Sequence, residues 1–205
     1  MDIPKGWHSR GYLPHFNAGE IPQMVTLREE GSLPKDLVDY WRKRLAQNPE
    51  APERQAYLKQ IEQYLDRCEG QAFLAQAEVA GLVQSALLHF DGERYALLSW
   101  VIMSNHVHVV VVPTPPHDLT GIVHSWKSWT AHEANKILGR EGAFWAPDYF
   151  DRFIRNEKHL LSAIQYVEMN PVKVGLCEFP DQWHWSSACT QRQGNGLRAG
   201  RPRSQ

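Results

Sequence analysis

The sequence predicts an α+β chain, an antiparallel sheet flanked by helices. Two observations carry this. First, two apolar, β-prone runs, Tyr95 to Met103 and His106 to Val112, are parted only by Ser104-Asn105, so they read as paired antiparallel strands with at least one buried face. Second, long polar segments on both sides of this pair carry apolar residues at helical spacing. Helices interspersed with a few strands pack as helices against an antiparallel sheet.

The elements follow in order. Residues 1–20 are rich in Gly, Pro and His and read as an irregular N-terminal arm. Ile21 to Glu29 alternates loosely and reads as a first strand. Ser32 before Pro34 resembles a helix entry. From Lys35 to Asp66, Leu37, Val38, Trp41 and Leu45, then Tyr57, Leu58, Ile61 and Leu65, mark two helices split around Asn48-Pro49-Glu50-Ala51-Pro52. Ala75 to Phe90 is a third helix, closed by the turn signal Asp91-Gly92. Beyond the two strands, Pro113-Thr114-Pro115-Pro116 is a break, and Leu119 to Leu138 is helical through Ile122, Trp126, Trp129, Ala134 and Ile137. Gly139 to Asp148 is a loop. Glu157 to Met169 is a helix expected to stop at Asn170-Pro171, because proline disfavours helix at the residue before it. One domain over residues 1–188 and an Arg-rich, disordered tail over 189–205 are expected.

Composition excludes several classes. Hydrophobic residues make up 42% and charged residues 22% of 205, which is ordinary globular usage, so wholesale disorder is not expected. No apolar run reaches the ~18 residues of a membrane span, and Met1 to Arg10 lacks the apolar core of a signal peptide. A cytoplasmic protein is the expectation. Cys68, Cys177 and Cys189 are too few and too scattered for a disulfide framework or a cysteine zinc site. A net charge of −1 argues against coating nucleic acid through bulk charge, though a local basic groove stays possible. Charge is uneven: Arg192, Arg198, Arg201 and Arg203 lie in a tail with no acid, read equally as a solvated tail or a DNA arm.

His106-Val107-His108 sits within the second apolar strand. Side chains alternate along a strand, so both imidazoles leave one face, with Cβ atoms roughly 6–7 Å apart. Two imidazoles at that spacing can hold one metal ion. A buried imidazole also needs a partner for each ring nitrogen, and two satisfied structural histidines would give the same pattern. Spacing leaves both readings open. On the later helix, Leu160, Ile164 and Val167 form a stripe for the sheet, and Tyr166 borders it, sharing a face with Asn170. Tyr166 reads either as a core aromatic or as a nucleophile that needs help, since a free phenol titrates near ~10. Trp126 and Trp129, flanking Lys127, read more readily as core residues than as base-stacking platforms.

Taken together, these residues resemble a known family. Trp100 to His108 is similar to the signature of single-tyrosine HUH transposases. So are Trp145, Tyr149-Phe150-Asp151-Arg152, Ile154-Arg155-Asn156, Tyr166-Val167-Glu168-Met169-Asn170-Pro171-Val172-Lys173, Gly175-Leu176 and Trp185-Ser186-Ser187. The resemblance is nearest to REP-associated tyrosine transposases and spans about Gly11 to Ser187. It implies a ferredoxin/RRM-like HUH endonuclease fold. It implies that His106, His108 and Asn170 hold a divalent metal, Mg²⁺ or Mn²⁺, and that Tyr166 is the catalytic nucleophile. Some related enzymes have glutamine where this chain has the shorter Asn170. The implied activity is cutting and rejoining of single-stranded or hairpin, REP-like palindromic DNA through a 5′-phosphotyrosine intermediate, in a monomer or homodimer near the nucleoid. Lys127, Arg152, Arg155, Lys158 and Lys173 are the candidate DNA contacts, and His159 is taken as a surface or supporting residue. The competing reading is an RRM-like regulatory module that binds nucleic acid without cutting it. A small-molecule metalloenzyme using the two histidines would leave the Asn170-Pro171-Val172-Lys173 block unexplained.

Overall fold

In a computed structural model, residues 6–9, 14–17, 19–47, 53–68 and 70–190 are described. Their strands are β1 (Gly6–Ser9), β2 (Pro14–Asn17), β3 (Gln23–Arg28), β4 (Tyr95–Ile102), β5 (His106–Pro113) and β6 (Phe150–Phe153). The α-helices are α1 (Lys35–Gln47), α2 (Glu53–Asp66), α3 (Ala77–His89), α4 (Leu119–Ile137), α5 (Glu157–Glu168) and α6 (Asn170–Lys173). β3 to β6 form one antiparallel sheet in the order β4-β5-β3-β6, and β1 pairs with β2 separately.

Alternation along the two central strands assigns the layers. Val25 and Leu27 of β3, with Val107, Val109 and Val111 of β5, face one way and pack with α3 and α4 through Leu87, Ile122, Val123 and Trp126. Met24 and Val110 face the other way and pack with α5 through Ala163 and Val167. β5 is buried on both faces and hydrogen-bonded on both edges, which is why it reads as a near-continuous valine run. Helices α1 and α2 form a third cluster in which Ile61 and Leu65 pack on Leu33 and on Phe150 of β6.

Tyr95 Oη donates to the Leu87 carbonyl at 2.8 Å and accepts from Trp126 Nε1 at 3.0 Å, tying β4, α3 and α4 together. The outer edge of β4 is covered by the Trp185-Ser186-Ser187 segment. Ile102 N–H donates to the Trp185 carbonyl at 2.9 Å, and Ser187 Oγ donates to Glu168 Oε1 at 3.0 Å, fixing the end of α5 to the sheet edge. After α2, the chain turns at Gly70. Its φ is +81°, and a Cβ there would lie 2.7 Å from the Gly31 carbonyl oxygen, so the turn demands glycine.

Two readings are corrected and one element is added. Residues 1–20, read as irregular, contain the paired strands β1 and β2. β6 was not expected: Phe150-Asp151-Arg152-Phe153 is short and charged, and only its register with β3 makes it a strand. The Asn170-Pro171 stop is also a start, since Pro171 lies in the first turn of α6, where its missing N–H costs no hydrogen bond. The arginines at 192, 198, 201 and 203 lie outside the described residues.

Tyr95→Phe leaves the Leu87 carbonyl and the Trp126 indole N–H to find new partners in a dry core. We expect it to cost roughly 1–3 kcal/mol. Urea denaturation checks this; an unchanged midpoint and slope would contradict the assigned role.

Candidate active site

The strand alternation that buries Val107 and Val109 against α3 and α4 turns His106 and His108 toward α5. Both histidines are fully buried, and their ring centroids lie 4.7 Å apart. Each ring is held by one nitrogen. His106 Nδ1 lies 2.8 Å from Asn105 Oδ1, and His108 Nδ1 lies 2.8 Å from Thr26 Oγ1. Thr26 is the cross-strand partner of His108 in the β3–β5 register, so the sheet itself sets that contact. An amide oxygen only accepts, so His106 carries its proton on Nδ1 and its lone pair on Nε2. Both Nε2 atoms are buried and lack a hydrogen-bond partner.

Tyr166 and Asn170 each carry such an atom as well. Tyr166 projects from α5 with its ring centroid 5.4 Å from that of His108, and Tyr166 Oη is buried without a partner. Asn170, fully buried at the start of α6, has an unpartnered Oδ1. Buried polar atoms are ordinarily paired. Two imidazole nitrogens and an amide oxygen left open by side chains on β5 and α6 fit a divalent cation, and pinning the opposite imidazole nitrogen is how ligating histidines are oriented.

Electrostatics matches this geometry. Burial pushes His106 down to about 3, helped by the Lys173 ammonium, and holds His108 well below its usual range. Burial also raises the Tyr166 phenol, and the Glu62 and Asp66 carboxylates raise it further. Both acids come from α2. Glu62 pairs with Arg152 at 3.7 Å, and Asp66 pairs with Lys173 in a short contact and accepts from Asn170 Nδ2 at 3.5 Å. Lys173 Nζ also lies 5.6 Å from the Tyr166 ring centroid. A cavity of about 220 Å³ opens beside Tyr166, lined by Glu62, Arg152, His159 and Ser162 among others.

Of the candidate DNA contacts, Arg152 and Lys173 are brought to this site. Arg155 and Lys158 are exposed around the start of α5, where the Arg155 N–H donates to His159 Nδ1 at 3.3 Å. Lys127 is not brought there. It lies on α4, across the sheet, where its ammonium donates to the Ala146 and Pro147 carbonyls at 2.7 and 2.8 Å. Burial lowers it to about 8. Trp126 is a core residue, whereas Trp129 is 48% exposed. Sequence reasoning missed Thr26, Asn105, Glu62 and Asp66 as neighbours of the site. Asn105 carried a signal in its adjacency to His106; the others depend on pairing and packing.

Both imidazoles should therefore stay neutral in the metal-free protein down to about pH 5, which ¹⁵N NMR of the ring nitrogens checks. An unfolded histidine titrates near 6.5, so below that pH the unfolded chain takes up protons that the native state refuses. This contribution to stability is complete above 6.5 and declines as pH falls toward about 3. A cationic imidazole at pH 5 would contradict the burial argument.

Residues 81–170 match the family model "Transposase IS200 like". A solved REP-associated tyrosine transposase bound to a REP hairpin is similar in fold, with a TM-score of 0.54 at 15% identity over 92% of this chain and 86% of that one. A putative transposase from Deinococcus radiodurans R1 gives a TM-score of 0.40 at 15% identity, covering 83% and 98% of the two chains. A stretch of 55 residues is 38% identical to part of "NACHT, LRR and PYD domains-containing protein 1b allele 4" of Mus musculus; it is 27% of this chain, which spans only 6% of that protein's length. His106, His108, Tyr166 and Asn170 all lie within the stretch 81–170 that matches the IS200-like transposase model.

Proposed function

We propose that the chain is a metal-dependent single-strand DNA endonuclease and strand transferase that acts on hairpin, REP-like DNA through Tyr166. The observation that carries this reading is the set of four buried polar atoms without partners: His106 Nε2, His108 Nε2, Asn170 Oδ1 and Tyr166 Oη. Residues His106, His108 and Asn170 would hold Mg²⁺ or Mn²⁺. When bound, such a cation supplies the positive charge that polarises a scissile phosphate and favours the phenolate. The hairpin substrate is taken from the relative bound to a REP hairpin, and its use by this chain is our inference.

The chain's own groups then divide the work. Tyr166 oxygen attacks phosphorus; a phosphotyrosine bond to the 5′ side forms, the bond to the 3′ oxygen breaks, and the phenolic proton leaves while the 3′ oxygen ends as a hydroxyl. The ester stores the bond energy, so a later 3′-hydroxyl can rejoin the strand without ATP. Arg152 and Lys173 flank the phenol and can take phosphate oxygens in exchange for Glu62 and Asp66, with Arg155 and Lys158 contacting the backbone farther out. The raised phenol explains why Tyr166 would need a cation to act near neutrality.

The test is a covalent protein–DNA adduct on a single-stranded hairpin with Mg²⁺ or Mn²⁺. Tyr166→Phe is expected to abolish the adduct while leaving DNA binding intact. An adduct formed equally well by the Phe variant would defeat the proposal. Binding that ignores EDTA, with no cleavage under either metal, would favour the non-cleaving RRM-like module instead.

A further inference from the structure

We infer that Asp66, at the end of α2 and outside the family-matched residues 81–170, is a positioning residue for the cation site, acting through the Asn170 amide. The inference rests on the metal-site reading above. Asn170 is fully buried, and its two polar ends are not equivalent in their surroundings. Nδ2 donates to Asp66 Oδ1 at 3.5 Å, whereas Oδ1 has no partner.

An asparagine amide is ambiguous by nature, since a half-turn about its last bond exchanges a donor for an acceptor. Only the oxygen can ligate a cation. A carboxylate removes the ambiguity because it accepts and never donates when ionised. With Asp66 on one side, the flipped amide would set its oxygen against a carboxylate oxygen. The donor end is therefore held at α2 and the ligating end is left open.

The placement of Asp66 is itself determined by packing. Leu65 and Ile61 bury α2 against Leu33 and Phe150, and Lys173 of α6 binds the second carboxylate oxygen. The Asp66 side chain is only 13% exposed. The same carboxylate thus binds the first residue of α6 and the last, Asn170 and Lys173, and fixes the short helix as a unit.

Mn²⁺ binding to the full chain, followed by electron paramagnetic resonance and calorimetry, tests the inference without any DNA. Asp66→Ala is expected to weaken Mn²⁺ binding about ten- to a hundredfold, the range seen when a ligand loses its orienting partner. Because the effect passes through the amide, Asp66→Ala added to Asn170→Ala should weaken binding no further than Asn170→Ala does. Asp66→Asn keeps the size of the side chain but not its acceptor-only character, so a smaller loss is expected. Wild-type affinity in both Asp66 variants overturns the inference, and so does a double variant whose losses multiply. The His106→Ala/His108→Ala variant separates the two levels. If it abolishes Mn²⁺ binding while Asp66→Ala leaves it intact, only the role of Asp66 falls. If it binds Mn²⁺ like the wild type, the metal site itself falls, and the role of Asp66 with it.

Discussion

Everything about the site follows from the burial of β5 on both faces. The strand sits between β4 and β3, its valines pack into the larger core, and its period of two leaves His106, His108 and Val110 on the opposite side. A register slip of one residue would drive two imidazoles into the Val25–Leu27 core and expel Val107 and Val109 from it. The cost of that exchange locks the register, and the locked register holds both rings 4.7 Å apart. Precision at the site is therefore a consequence of core packing.

On this frame the polar contacts are divided between the two nitrogens of each ring. Thr26 and Asn105 occupy the inner nitrogens, and the outer ones are left without partners in a dry environment. Leaving such atoms unpaired is destabilising in the isolated chain. Four of them, carried on β5, α5 and α6, are the kind of local conflict with folding that functional sites retain. On the opposite face, Tyr95, Trp126, Trp145 and Thr130 are joined by hydrogen bonds.

Helix α2 adds a different layer of control. It brings Glu62 and Asp66 against Arg152 and Lys173, so these two cations are already paired within the protein. These ion pairs are half-exposed on the basic side, with Arg152 at 50% and Lys173 at 54%, so they contribute little to stability. Burial, and after it these acids, raise the phenol of Tyr166 above its ordinary range.

How much was legible in the sequence divides along the range of the interactions involved. The two strands at 95–102 and 106–113, the helices at 35–47, 53–66, 77–89, 119–137 and 157–168, and the shared face of His106 and His108 were all set by local periodicity, because a helix or strand repeats within a few residues. The stripe of Leu160, Ile164 and Val167 likewise announced which side of α5 meets the sheet. What only the tertiary structure decided is what lies across from these faces. β6 exists because β3 pairs with it, Thr26 meets His108 because of the strand register, and Lys127 is turned to the Ala146 and Pro147 carbonyls on the far side of the sheet. Asp66 reaches Asn170 across 104 positions of sequence. Such contacts depend on how separate elements pack, and no periodicity within either element encodes its partner.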